Sequence, residues 1–272
     1  MNTSPKTIFI TGASSGIGKD AVLFFAQKGW NVVATMRSID TVEPEFKHSN
    51  ILLAQLDITD TSSIKKAYDQ TLARFGSVDV IVNNAGYALT GVFETMKSED
   101  IERQFKTNVF GTMNVIRQFL PYFREKKSGL IITVTSMGGL ITFPLYSPYH
   151  GTKWALEGFL ESLRYELRPF GIRLKNIEPG AIKTGFYTAL EFSSSEDYKN
   201  YTDKMEKSMG KVIGKAPGPE VVTREIWKAA NDRSDRFRYP ASMTGKVFLL
   251  FRKIFPFFIW ERVSRIVTEG KF

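Results

Sequence analysis

The 272-residue chain is predicted to be an α/β protein built as one domain on a doubly wound parallel sheet. Two observations carry that expectation. Short, near-continuous apolar runs rich in β-branched residues recur along the chain, and longer segments with apolar residues at helical spacing separate them. No internal repeat or interdomain linker interrupts the alternation, and a 43% hydrophobic composition is enough to bury a full core.

The elements follow in order. TIFI at Thr7–Ile10 is the first strand, and Ile17–Lys28 is a helix carrying Ala21, Val22, Phe24 and Phe25 before it stops at Gly29. NVVATM (Asn31–Met36) and ILLAQL (Ile51–Leu56) are the second and third strands. Thr61–Phe75 is the next helix, and VDVIVNNAG contains the fourth strand. A long helical stretch over about Ser98–Lys126 leads to the fifth strand, GLIITVTS. A helix from about Tyr149 to Arg168 and a sixth strand in IRLKNIEPG complete the alternation.

Three glycines crowd the first strand–helix junction, TGASSGIG at Thr11–Gly18. Each costs roughly 0.5–1 kcal/mol relative to alanine inside regular structure, so the cluster needs a reason. One reason is a tight turn. The other is that a bare backbone admits a phosphate to the first N–H groups of the helix, where unpaired donors and the helix dipole favour negative charge. In a doubly wound sheet ligands bind beyond the carboxyl ends of the strands, where this junction falls. The glycines stand at 12, 16 and 18, which is not the G-x-G-x-x-G spacing.

Composition removes several function classes. There is no cysteine, so disulfides, thiolate catalysis and cysteine-ligated metal are excluded, and His48 and His150 fit no common zinc spacing. No run reaches the ~18 apolar residues of a membrane span, and MNTSPKTIFI lacks a long apolar segment behind a basic start. A cytoplasmic protein is therefore expected. The net charge of +9 is spread along the chain, with no patch or module that points to nucleic acid.

Chemistry concentrates after the fourth strand. Tyr149 and Lys153 are four apart on a predicted helix and so share a face, where an ammonium beside a phenol is expected to lower the phenol's pKa and make it a usable general acid or base. Ser136 closes the fifth strand, placed to hold a substrate oxygen. Tyr146 is followed four residues on by His150 rather than lysine, and is assigned to the substrate pocket; His150 is assigned a local hydrogen-bonding role.

TGASSGIG, NNAG at Asn83–Gly86, Ser136, YHGTK at Tyr149–Lys153 and PGAIKT at Pro179–Thr184, in this order, resemble the short-chain dehydrogenase/reductase family. The resemblance runs from about Thr7 to Thr184, with a weaker match to about Pro240. It implies a Rossmann-type fold and an oxidoreductase acting on a CH–OH group with a nicotinamide cofactor. It further implies that the loop of Gly12, Ser14, Ser15, Gly16, Ile17 and Gly18 wraps the adenosine ribose and pyrophosphate, and that Asp57, with Ile58, meets the adenine. Asn84, Ala85, Gly86, Pro179, Ile182 and Thr184 are the further cofactor positions. Ser136, Tyr149 and Lys153 match the catalytic set, with Lys153 also bonding the nicotinamide ribose. Asn108 matches the asparagine whose main-chain carbonyl holds a water against the lysine. Homodimers or homotetramers are implied as well.

At the end of the second strand, where NAD-specific relatives carry an acid, this chain has Met36 followed by Arg37. A guanidinium binds a 2′-phosphate that a carboxylate repels, so NADP(H) is expected over NAD(H). Tyr87 and Leu89, MGGLITFPLY at Met137–Tyr146, and Phe186, Tyr187 and Leu190 give apolar walls suited to a lipophilic alcohol or ketone. The chain is thus expected to comprise a cofactor-binding and catalytic core (1–184), a substrate lid (185–215) and a hydrophobic, helical C-terminal extension (241–272). The tail and the RYP before it resemble steroid and retinol dehydrogenase-like branches. Its apolar runs are broken by Arg252, Lys253 and Pro256; a cover over the substrate entrance or a subunit contact is expected, with peripheral attachment to anionic lipid as the alternative. A nucleotide sensor that turns nothing over is the alternative function, disfavoured by the intact Ser136, Tyr149 and Lys153.

Overall fold

A computed structural model describes residues 4–40, 44–187, 190–256, 258–259, 261–262 and 265. The chain runs through β1 (Thr7–Thr11), α1 (Gly16–Gln27), β2 (Asn31–Met36), β3 (Ile51–Gln55), α2 (Thr61–Phe75) and β4 (Val80–Asn83). It continues through β5 (Leu89–Gly91), α3 (Ser98–Phe105), α4 (Thr112–Lys126), β6 (Gly129–Val134), α5 (Ser147–Leu167) and β7 (Ile172–Glu178). Then come β8 (Glu191–Ser193), α6 (Lys199–Gly214), α7 (Glu220–Asn231), β9 (Arg238–Pro240) and α8 (Met243–Ile254).

Seven strands form one parallel sheet in the order β3-β2-β1-β4-β6-β7-β9, and β5 and β8 pair separately. The order reverses between β1 and β4, opening a crevice at their carboxyl ends. The central strands are buried on both faces, which is why they read as unbroken apolar runs. On one face α1 and α7 bury Val22, Phe25, Val222 and Ile226 around the Phe25–Trp30–Trp227 aromatic cluster. On the other, α2, α4 and α5 bury Ile64, Phe119, Phe123, Leu156 and Leu160. Helix starts and stops follow local chemistry: the Asp60 carboxylate accepts from Ser62 N at 2.8 Å to cap α2, and Gly76 ends it in the left-handed region at φ 72°.

Two features depart from the sequence expectations. The stretch from Ser98 to Lys126 is not one regular helix, since Lys106–Gly111 is a π-helical turn between α3 and α4. β6 ends at Val134, so Ser136 lies two residues beyond it, where its Oγ accepts from Gly138 N at 2.9 Å and caps a short 3-10 turn at Met137–Gly139. Within the segment expected as a lid (185–215), Lys199–Gly214 forms α6. The expected tail helix is present as α8, while the last seven residues of the chain lie outside the described ones.

Candidate active site

The crevice at the carboxyl ends of the strands is a cleft of about 1020 Å³. The β1–α1 loop forms one end. Gly12 has φ +67°, and a Cβ there would stand 2.8 Å from Ala85 Cα, so only glycine lets this loop lie against the start of the β4 loop. Gly18 is required by packing rather than by φ, because a Cβ would meet the Gly12 carbonyl oxygen and Asn84 Nδ2. Asn84 Nδ2 donates to the carbonyls of Thr11 and Gly12, both at 3.0 Å, so its amide braces the loop. The N-cap of α1, Ser15, makes no side-chain cap bond, and no acid lies in the first turn, which leaves the leading N–H groups of α1 available to an anion at the cleft. That combination fits a dinucleotide pyrophosphate.

Of the residues assigned to a cofactor from sequence, Gly12, Ser14, Ser15, Gly16, Ile17, Arg37, Asp57, Ile58, Asn84, Ala85, Gly86, Pro179, Ile182 and Thr184 line the cleft. Gly18 does not; it packs behind the loop. Asp57 reaches the cleft wall while its carboxylate accepts from Thr59 N and Oγ1, each at 2.8 Å. Arg37 is exposed just beyond β2, and Met36 before it is buried.

Ser136, Tyr149 and Lys153 meet at the inner wall of the same cleft. The one-turn separation along α5 stacks Tyr149 and Lys153, with Lys153 Nζ 5.7 Å from the phenol ring centroid and donating to the Val134 carbonyl at 3.1 Å. Their electrostatics correct the sequence expectation. Burial pushes the Tyr149 phenol well above its ordinary value, opposed by a hydrogen bond with Ser136, while burial lowers Lys153 to about 8 against the attraction of Glu157. The phenol's shift is thus upward, set first by desolvation, where a neighbouring ammonium led the sequence reading to expect a lowering. Asn108 sits outside the cleft, buried in the π-helical turn; its amide donates to Tyr87 O at 2.8 Å and Thr152 Oγ1 at 3.2 Å, and its main-chain carbonyl accepts from Thr112 Oγ1 at 2.9 Å.

The outer walls are aromatic and aliphatic. Tyr87, Phe143, Tyr146, Phe186 and Tyr187 line the cleft, as the sequence pattern implied, whereas Leu89 is buried in β5 and Leu190 lies off the lining. Burial raises Tyr146 to about 12. Sequence reasoning missed Met205, Met209 and Val212 of α6, although their spacing of four and three marks one helical face. Phe248 of α8 also lines the cleft, so the C-terminal helix is part of its wall. Among the described residues no group of His, Cys, Asp and Glu could hold a metal ion, and no helix is long and apolar enough to cross a membrane.

The profile of the family described as short chain dehydrogenase matches residues 6–212. A 3-ketodihydrosphingosine reductase of Bacteroides thetaiotaomicron is 34% identical over 212 residues, covering 78% of this chain and 77% of its own. The crystal structure of a short-chain dehydrogenase from Streptomyces avermitilis matches with a TM-score of 0.83 at 31% identity, over 97% of this chain and 99% of the other. ElxO, solved with NADP bound, matches with a TM-score of 0.73 at 27% identity, over 87% and 97% of the two chains.

Proposed function

The chain belongs to the short-chain dehydrogenase/reductase family and is an oxidoreductase that binds NAD(P); on that premise we propose that it is NADP(H)-dependent and interconverts a lipophilic secondary alcohol and its carbonyl. The observation that carries this reading is the convergence of Ser136, Tyr149 and Lys153 at the inner wall of a cleft whose outer walls are Phe143, Tyr146, Phe186, Tyr187, Met209 and Phe248.

The dinucleotide supplies or accepts a hydride at the substrate carbon when bound. The β1–α1 loop and the leading N–H groups of α1 would hold its pyrophosphate, and Arg37 would bind its 2′-phosphate, which an acid at that position would repel. Ser136 Oγ orients the substrate oxygen. The protonated Tyr149 donates its proton to that oxygen as the carbonyl is reduced, and takes it back in the oxidative direction. Lys153, fixed on the Val134 carbonyl, stabilises the phenolate left after the transfer. Asn108 ties the Tyr87 loop to α5 at Thr152, next to Lys153. ElxO was solved with NADP, and the Bacteroides relative is named a 3-ketodihydrosphingosine reductase; these support the choice of cofactor and of a ketone substrate.

The test is NADPH absorbance with a panel of steroids, retinoids, acyl thioesters, long-chain ketones and small ketones, run in parallel with NADH. Turnover of lipophilic carbonyls with NADPH ahead of NADH is expected. Turnover confined to small polar carbonyls, or preferring NADH, contradicts the proposal.

A further inference from the structure

The outer face of α8 exposes an apolar row that the catalytic reading does not use. Met243, Val247, Leu250 and Ile254, spaced four, three and four apart, lie on one face and are 75%, 58%, 59% and 62% exposed. Beyond Pro256 the row is extended by Phe258, 68% exposed. The opposite face is committed to the protein: Phe248, Leu249 and Phe251 pack on Met137, Ile141 and Phe143, and Phe248 and Phe143 meet edge to face at 6.5 Å. One helix thus walls the cleft with one face and presents apolar side chains outward with the other. Exposed apolar surface of this extent marks a binding site rather than ordinary surface.

Charge selects the occupant. Lys246 and Lys253, seven apart, run along one flank of the row, both exposed, with Lys246 paired to Glu225 at 3.4 Å. Arg252 and Arg262 add positive charge within the same stretch, where Glu261 is paired with Arg265 at 2.9 Å. Lys211 of α6 and Lys215 just after it are exposed at the other side of the cleft, near the 47% exposed Val212. A two-fold contact in which two copies of α8 packed antiparallel along the row would set this basic flank against itself, because the axis then maps the flank onto its own copy. An anionic lipid surface instead takes the apolar row into its acyl boundary and the lysines against its headgroups.

We propose that the outer face of α8 docks this protein on anionic membrane surfaces, with the cleft mouth between α6 and α8 turned toward the lipid that delivers its substrate. This rests on the lipophilic substrate proposed above only for the delivery; the docking stands on α8 itself.

The full chain is sedimented with vesicles of phosphatidylcholine alone and of phosphatidylcholine mixed with phosphatidylglycerol, at low and high salt. Binding to the mixed vesicles at least about tenfold tighter than to the neutral ones, and weakened by salt, is expected. The combined variant Val247→Ser, Leu250→Ser, Ile254→Ser removes only exposed side chains and should lose about a hundredfold of that binding, while NADPH affinity in solution is unchanged. Sedimentation needs no turnover, so failure of the proposed activity and failure of docking are read separately. Equal, weak binding of the full chain to both vesicle types overturns the proposal. So does a variant that still binds vesicles but falls to a lower mass in solution, since the row then belongs to a second copy of the chain.

Discussion

Replacing His150 with Phe keeps an aromatic ring in place while removing two buried hydrogen bonds. His150 is 5% exposed; its Nδ1 lies 2.8 Å from the Gly138 carbonyl, and its Nε2 accepts from Phe143 N at 2.9 Å. These partners require a neutral ring with its proton on Nδ1. The ring thereby ties the loop that begins at Ser136 and carries Phe143 to α5, one residue past Tyr149. A Phe at 150 leaves a carbonyl and an N–H buried without partners, at about 1–3 kcal/mol each, so urea unfolding near pH 8 should show a loss of about 2–6 kcal/mol. The pH dependence gives a second readout. Burial lowers the His150 pKa in the folded state, so below the ordinary value the unfolded chain binds a proton that the folded one refuses. The stability the neutral ring provides is full above about pH 6.5 and is lost as pH falls through the lower folded value, and His150→Phe should lack that part of the decline. A variant within about 0.5 kcal/mol of the parent near pH 8, with the same acid slope, would refute the reasoning.

Gly12→Ala places a Cβ 2.8 Å from Ala85 Cα at a φ of +67°, and should destabilise the fold by about 1–3 kcal/mol and remove the melting-temperature rise that NADPH produces. Lys175→Met removes the buried ammonium that donates to Ala229 O at 3.1 Å, Asp232 O and Tyr239 Oη at 3.0 Å. Chemical denaturation should record a loss of about 1–3 kcal/mol as the end of α7 loses its anchor on β7. Arg37→Ala should weaken NADPH binding by about 10–100-fold in a fluorescence titration while leaving NADH nearly unchanged. Equal losses for the two cofactors would place Arg37 on the adenine or the fold instead.

The six longer sheet strands were legible because a parallel sheet buried on both faces forces each central strand into a continuous apolar run. The seventh was not. β9 is three residues, Arg-Tyr-Pro, and its pattern is set by partners far away in sequence: Arg238 bonds Glu161 at 2.8 Å and Glu157 at 3.2 Å, and it pairs with Glu178. Both Glu157 and Glu178 are buried, Glu178 so completely that its carboxyl is pushed up to about 9. The meeting of Ser136, Tyr149 and Lys153 was legible from order and helical spacing, but the sign of the phenol's shift was not. Spacing reveals the neighbouring charge and conceals the burial, to which Phe186, packed on the Tyr149 ring from another element, contributes.

The central claim is that Tyr149 carries the proton, and the most direct test is steady-state turnover of Tyr149→Phe with NADPH and the best carbonyl from the panel, with NADPH affinity measured alongside. The variant keeps the ring that packs on Phe186 at 5.9 Å and loses only the hydroxyl. Turnover should fall by about 10²–10⁴ with NADPH binding unchanged. Turnover within about threefold of the parent would contradict the account.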